Sequence, residues 1–385
     1  MKNFGLGALS DFLGDLVVYR RLEPCDSRLP SPQQVRLDLR LPDKGIPRKT
    51  ELDYARIVAG MLEAARRLEA PKARIHSLVL LGDTRLNDGT AFENLCLAGG
   101  WRGLAFIGSE QVGPPAAGAG SVEQSTLGDG LDLYLASRWR ALDEIEGLCA
   151  GSGVPVDEGL AVVVDLDKTA LGARGRNALP IDEARVAAVR ATVSAILGDA
   201  FEDGSFRSAY DTLNQPEYHP FTRDNQDYLA YLSLILGSGF IGLDELVSGV
   251  RSGELPDFET FIETVDRRAE ELAPGLRGIH SEILGLVRVG DPTPFKTFRR
   301  NEYRETVRRM GSSPDGTPIS RLLSEEILIT AEVRRAAQWF ASRGALLFGL
   351  SDKPDEASFP ASGAAAEGDL PIHRTPTHIV GEEPE

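Results

Sequence analysis

The chain has 385 residues, 42% of them apolar and 26% charged, with a net charge of −16, which allows one large buried core or two smaller ones. The acidic balance excludes nucleic acid as a main partner, because a phosphate backbone needs a basic footprint, but leaves room for a small phosphorylated substrate held by a local basic pocket. Three scattered cysteines, Cys25, Cys96 and Cys149, form no disulfide framework or metal knuckle, and no apolar run approaches the roughly 20 residues of a membrane span; with no secretory stretch after Met1, no membrane partner and a cytoplasmic location are expected.

Within residues 1–47, short extended pieces are expected at 16–20 and 35–39. Leu52, Ile57, Val58, Met61, Leu62, Ala65 and Leu68 recur at helical spacing, so a helix is predicted over 51–68, stopped by Pro71. The apolar run 77–81 suits a buried parallel strand. A helix over 90–98, ended by Gly99-Gly100, precedes a second buried strand at 104–107. Residues 111–128 are rich in small residues and read as a flexible loop or linker. A helix is expected over 132–149, then a third apolar run, 160–164, that ends in acid. From 181 to about 343 the pattern is helical, with loops near 215–220 and 290–294. A fourth strand is expected at 345–350, a small polar tail at 358–369, and a fifth short strand at 377–380. Strands and helices therefore alternate at both ends of the chain around a long helical block. That order predicts an α/β fold, a Rossmann-like three-layer core with a central parallel sheet, plus a large helical lobe.

The chemistry-bearing residues stand at strand ends, where ligands bind in open parallel sheets. Asp165-Leu166-Asp167 follows 160–164, Gly82-Asp83 with Asn87-Asp88 follows 77–81, and Ser351-Asp352-Lys353-Pro354 follows 345–350. Taken singly, each reads as a helix cap or a turn. Their weight comes from occurring together, each after an apolar run.

Together these residues resemble the motifs of the haloacid dehalogenase-like hydrolase superfamily. Asp165, Asp167 and Thr169 match its first motif, an apolar strand followed by Asp-x-Asp-x-Thr. Ser351 matches the second, a strand ending in Ser or Thr, and Asp352-Lys353-Pro354 is similar to the Asn-Lys-Pro of many members. Lys49, just before the 51–68 helix, matches the third, with Lys72 as a competing candidate. Gly82, Asp83 and Asp88 match the fourth. The motifs run third, fourth, first, second, an order that implies a circular permutation, tolerated where it cuts an exposed connection. The implied divisions are 1–160 for the first part of the core and its linker, 161–176 for the nucleophile strand, 177–330 for a helical cap, and 331–385 for the rest of the core.

The resemblance implies a Mg²⁺-dependent phosphohydrolase acting on a small phosphorylated metabolite. Asp165 would be the nucleophile and Asp167 the general acid and base. Mg²⁺ would be held by Asp165, Asp83 and Asp88, with Asp167 contributing its carbonyl. Ser351 and Lys49 would hold the phosphoryl oxygens. The presence of Asp167 favours phosphoester chemistry over carbon–halogen cleavage. A phosphomutase on the same residues, a metal-dependent glycosyltransferase using the Asp-x-Asp, and a non-catalytic interaction protein with this fold remain open alternatives. Gly172 and Gly175 are candidates for a cap hinge. Arg174, Arg176, His219 and the segments 214–220 and 292–300 divide between substrate contact and ordinary loop or surface roles. Neither substrate identity nor oligomeric state is legible.

Overall fold

The structure, a computed structural model, describes residues 1–42, 45–110, 122–128, 130–361 and 368–384. Its strands are β1 (Lys2–Gly7), β2 (Val17–Val18), β3 (Ser77–Gly82), β4 (Arg102–Gly108), β5 (Val122–Gly128), β6 (Leu131–Ala136), β7 (Leu160–Asp165), β8 (Ile329–Thr330), β9 (Leu346–Leu350) and β10 (Thr377–Gly381). Seven of them form one mostly parallel sheet in the order β2-β9-β7-β3-β4-β6-β5. Strands β3, β7 and β9 are buried along their whole lengths. Residues shielded on both faces have no reason to alternate with polar ones, so these strands read as continuous apolar runs. Val162 in β7 stands opposite Val79 of β3 on one side and Leu347 of β9 on the other.

Helices pack on this sheet in a Rossmann-like α/β arrangement. The helix Leu52–Glu69 buries Tyr54, Ile57, Val58, Met61, Leu62 and Ala65 in one core with Leu78, Leu80, Val163 and Phe348 of the sheet. Each large apolar side chain so buried contributes about 1.5–3 kcal/mol. The helix Ala331–Ala341 packs against β7 and β9.

Four expectations need correction. Residues 35–39 belong to the helix Pro32–Leu39, because Ser31 caps it by accepting the Gln34 N–H and Pro32 supplies a preset first turn. The expected helix over 132–149 is instead β6, a 3₁₀ turn Trp139–Glu144 and a short helix Ile145–Gly151; Leu131, Leu133 and Leu135 repeat every second residue, the period of a strand. Residues 215–220, expected as a loop, are two short helical turns, Pro216–Tyr218 and His219–Thr222. The short strand expected at 377–380 is present as β10, in a separate three-stranded sheet, antiparallel to β1 and parallel to β8. Of the loop expected over 111–128, residues 122–128 form β5, antiparallel to β6; residues 111–121, and 362–367 of the polar tail, lie outside the described residues.

The chain divides into two compact units. The first holds both sheets and takes in Met1–Glu183 and Thr306–Phe359 with the described residues after 368. The second, Ala184–Glu305 with 360–361, follows β7 in sequence and is helical throughout its regular elements. Its core carries a stacked pair, Tyr228 and Phe258, with ring centroids 3.7 Å apart. It also contains a buried charge cluster in which Arg299 donates to Asp227 at 2.8 Å and to Glu302 at 2.6 Å, while Asp227 accepts the Phe295 N–H. Arg299 and Lys296, which bonds Asp291 at 3.0 Å, are thus engaged inside their own unit. No helix among the described residues is long and apolar enough to cross a membrane.

Candidate active site

Three neighbouring strands deliver the acids and a serine. Strand β7 ends on Asp165, between β3, which leads into Asp83, and β9, which leads into Ser351. After Asp165 the chain turns back through Lys168, whose φ of +63° is in the left-handed region. This turn brings the Thr169 hydroxyl to Asp165 Oδ2 at 2.9 Å and the Ala170 N–H to the Asp165 carbonyl. After β3 the chain forms one π-helical turn, Arg85–Gly89, that carries Asp88 back over Gly82. A Cβ at residue 82 would stand 2.6 Å from the Asp88 Cβ, so only glycine fits there. Asp88 Oδ2 accepts the N–H groups of Asp83 and Thr84 and the Thr84 hydroxyl.

Oxygens of Asp83, Asp88 and Asp165 converge to within 4.8 Å of one another. The Lys49 ammonium sits among them, donating to Asp88 Oδ1 and to Asp165 Oδ1, each at 2.6 Å. It reaches them from just before the helix Leu52–Glu69, whose N-terminus faces the same sheet edge as the strand C-termini. Lys72, at the far end of that helix, is exposed. Asp83 is held by Arg174, whose Nε donates to Asp83 Oδ2 at 2.6 Å.

Burial dominates the electrostatics. It drives the Asp165 carboxyl well above the ordinary carboxylate range, against the pull of Lys49 and with the push of Asp88 and Asp83. Burial and then repulsion from Asp88 push Asp83 up to about 6, although Arg174 opposes them. Asp88 is also desolvated, but the Lys49 ammonium and the Thr84 hydrogen bonds outweigh that and hold it low. Lys49 loses hydration too, yet its two carboxylate partners keep it firmly protonated. Two buried acids and a third that is partly buried, with fewer cations, make a cluster that retains protons unless another positive charge enters.

Asp167 is half-buried, and its carboxylate is not among the three that converge. It lines a small cavity with Tyr19, Leu171, Ser351 and Lys353. Ser351 Oγ accepts the Lys353 N–H at 3.1 Å, which leaves its hydroxyl hydrogen available. Thr84 and Tyr54 were not singled out from the sequence. Thr84 had a legible signal, a hydroxyl just after Gly-Asp in a turn. Tyr54 had none, since its position fits the apolar face of its helix. Its buried hydroxyl has no partner among the described residues, and its charged surroundings are Asp352, Lys49, Arg20 and Asp165.

The segment Gly172–Gly175, the hinge candidate, carries backbone hydrogen bonds to the rest of its unit. Gly172 donates to the Leu328 carbonyl, and Asn177 donates from its side chain to the carbonyls of Leu323 and Glu326. Arg176 is consumed by Glu332 and Glu110, at 2.9 and 3.0 Å. His219 is partly exposed, with Nε2 3.7 Å from Asp224. No protein-family model, curated protein or solved structure matches this chain.

Proposed function

We propose that this chain is a divalent-metal-dependent phosphohydrolase that acts on a small phosphorylated metabolite through an aspartyl-phosphate on Asp165, in the manner of the haloacid dehalogenase-like enzymes that its motifs resemble. The observation that carries this reading is the convergence of Asp165, Asp83 and Asp88 around the Lys49 ammonium at the C-terminal ends of adjacent parallel strands. The donor set suits a hard cation: every offered ligand is a carboxylate oxygen, and the site holds more negative than positive charge. Asp165, Asp83 and Asp88 would hold Mg²⁺, with the Asp167 carbonyl as a further ligand. When bound, Mg²⁺ would neutralise the crowded carboxylates and polarise the phosphoryl oxygens.

The remaining chemistry belongs to the chain. Asp165 attacks phosphorus, and the bond from phosphorus to the ester oxygen breaks. Asp167, protonated at that point, gives its proton to the leaving alcohol. It then takes a proton from water, whose oxygen attacks the same phosphorus. The bond from phosphorus to Asp165 breaks, phosphate leaves and the Asp165 carboxylate is restored, so Asp165 is the nucleophile of the first step and the leaving group of the second. Lys49 orients Asp165 and balances charge in both steps, and the Ser351 hydroxyl donates to a phosphoryl oxygen. The converging carboxylates come from the ends of two different strands and not from the Asp165–Asp167 pair, which favours this reading over a glycosyltransferase that chelates through both acids of one Asp-x-Asp.

The test is release of p-nitrophenol from p-nitrophenyl phosphate with Mg²⁺ and after chelation. Asp165→Asn should abolish release, because an amide cannot act as the nucleophile. Asp167→Asn should lower turnover by about 10²–10⁴-fold, as expected for losing general acid–base catalysis. Turnover that survives in Asp165→Asn would overturn the assignment.

A further inference from the structure

We propose that Arg174 binds a second anionic group of the substrate, so that the site takes small phosphomonoesters carrying a further carboxylate or phosphate. This rests on the phosphohydrolase reading above. Arg174 and Arg176 lie two residues apart, yet their situations differ. Arg176 is 5% exposed and spends both terminal nitrogens on Glu332 and Glu110. Arg174 is 42% exposed and bonds Asp83 through Nε alone. Its two terminal nitrogens have no partner among the described residues. A guanidinium needs only one edge for a structural ion pair. Here the other donors are left open beside an acid that converges with Asp165.

The side chain is presented from a fixed base. The Arg174 N–H donates to the Lys168 carbonyl at 2.8 Å, and its own carbonyl accepts from the Glu110 N–H at 2.9 Å and the Trp139 indole at 3.1 Å. Gly175, with φ +77°, allows this close approach, since a Cβ there would stand 2.0 Å from the Glu110 carbonyl oxygen. Donors anchored in this way lose little freedom when a ligand arrives. The planar terminal pair matches the two oxygens of a carboxylate or phosphate.

Charge points the same way. Lys49 is shared between Asp88 and Asp165 and so is committed to the reacting end of the substrate. Of the two cations bonded to the converging acids, Arg174 is the one that bonds a single carboxylate and leaves its terminal pair of nitrogens open. A second anion entering beside three carboxylates would be repelled without it. Its place next to Asp83, just after the strand adjoining Asp165, suits substrates whose two anionic groups are separated by only a few bonds.

Isothermal titration tests this with Asp165→Asn protein, in which turnover is blocked, in the presence of Mg²⁺. Three probes are compared: ethyl phosphate, phosphoglycolate and ethylene glycol bisphosphate. The last two add a carboxylate and a phosphate respectively, and whichever binds better identifies the second group. One of them should bind about 10- to 100-fold more tightly than ethyl phosphate, the range for a charge-assisted contact. Adding Arg174→Met should remove that gain, and Arg174→Lys, which keeps the charge without the fork, should retain part of it. The inference fails if no second anion adds affinity, if the gain survives in Arg174→Met, or if Arg174→Met weakens all three esters equally, which would place Arg174 on the transferred phosphoryl group. If ethyl phosphate binds and the wild type hydrolyses it but no gain appears, only the inference falls. If no ester binds or turns over, the phosphohydrolase reading falls with it.

Discussion

Replacing Lys49 by Met keeps the length of the side chain and removes its charge from between two buried acids. In the wild type the ammonium lies 2.6 Å from both Asp88 and Asp165, and the three side chains are 5%, 2% and 8% exposed. Without it, carboxylates whose oxygens lie within 4.8 Å face one another directly. At an effective dielectric near 20, each such pair repels by about 3.5 kcal/mol. Breaking a buried ion pair from one side has a similar effect, about 3–5 kcal/mol, because it leaves the other charge uncompensated. Lys49→Met should therefore lose about 3–5 kcal/mol of stability at pH 8 without divalent ions. The loss should shrink at lower pH, as the acids take up protons that relieve the repulsion. Mg²⁺ should restore part of it by replacing the missing charge. The assay is urea unfolding followed by tryptophan fluorescence. All three tryptophans, Trp101, Trp139 and Trp339, lie in the unit that carries the site, so the signal reports on that unit. Lys72→Met, at an exposed position, is the control and should match the wild type. A Lys49→Met midpoint within error of the wild type at pH 8 would refute the reasoning.

Asp83 sets a pH dependence in the metal-free protein. Burial holds it at about 6 in the folded protein, above its ordinary value of 3.8, so the native state binds the extra proton, and the associated stability is present at low pH and lost as pH rises through 6. The fall should be roughly 3 kcal/mol between pH 4 and 6, and Asp355, also pushed up to about 6 by burial, adds to it with the same sign. Urea midpoints across that range should show the decline, saturating Mg²⁺ should flatten it, and Asp83→Asn should remove its own share; an unchanged slope in Asp83→Asn would contradict the assignment. In the helical unit, Arg299→Met leaves Asp227 buried without its cation and Glu302 with Arg185 alone. It should destabilise that unit by about 3–5 kcal/mol, measured by far-UV circular dichroism; a wild-type melting curve would show that the cluster is not structurally important.

The individual elements of the site were legible because their signals are local. Continuous apolar runs marked β3, β7 and β9, since parallel strands covered on both faces need no polar residue. Acids and a serine immediately after those runs marked the sheet edge where ligands bind. The 3.6-residue repeat after Glu51 placed Lys49 at a helix start. Local signals also misled: the Ser31-Pro32 start outweighed an extended-looking stretch at 35–39, and the two-residue period of Leu131, Leu133 and Leu135 was hidden in a segment that otherwise resembled a helix.

What the chain order could not determine is which segments meet. Strand β7 pairs with β3 and β9, which lie far from it in sequence on opposite sides, while β10 leaves the main sheet to pair with β1 and β8. Arg174 and Arg176 are chemically alike and nearly adjacent, yet one is sealed between two glutamates and the other offers open donors beside Asp83. Residue types and periodicity decide what each segment can form, because those preferences act over a few residues. Pairings between distant segments are decided only when the whole unit closes, because they depend on satisfying every buried hydrogen bond and charge together.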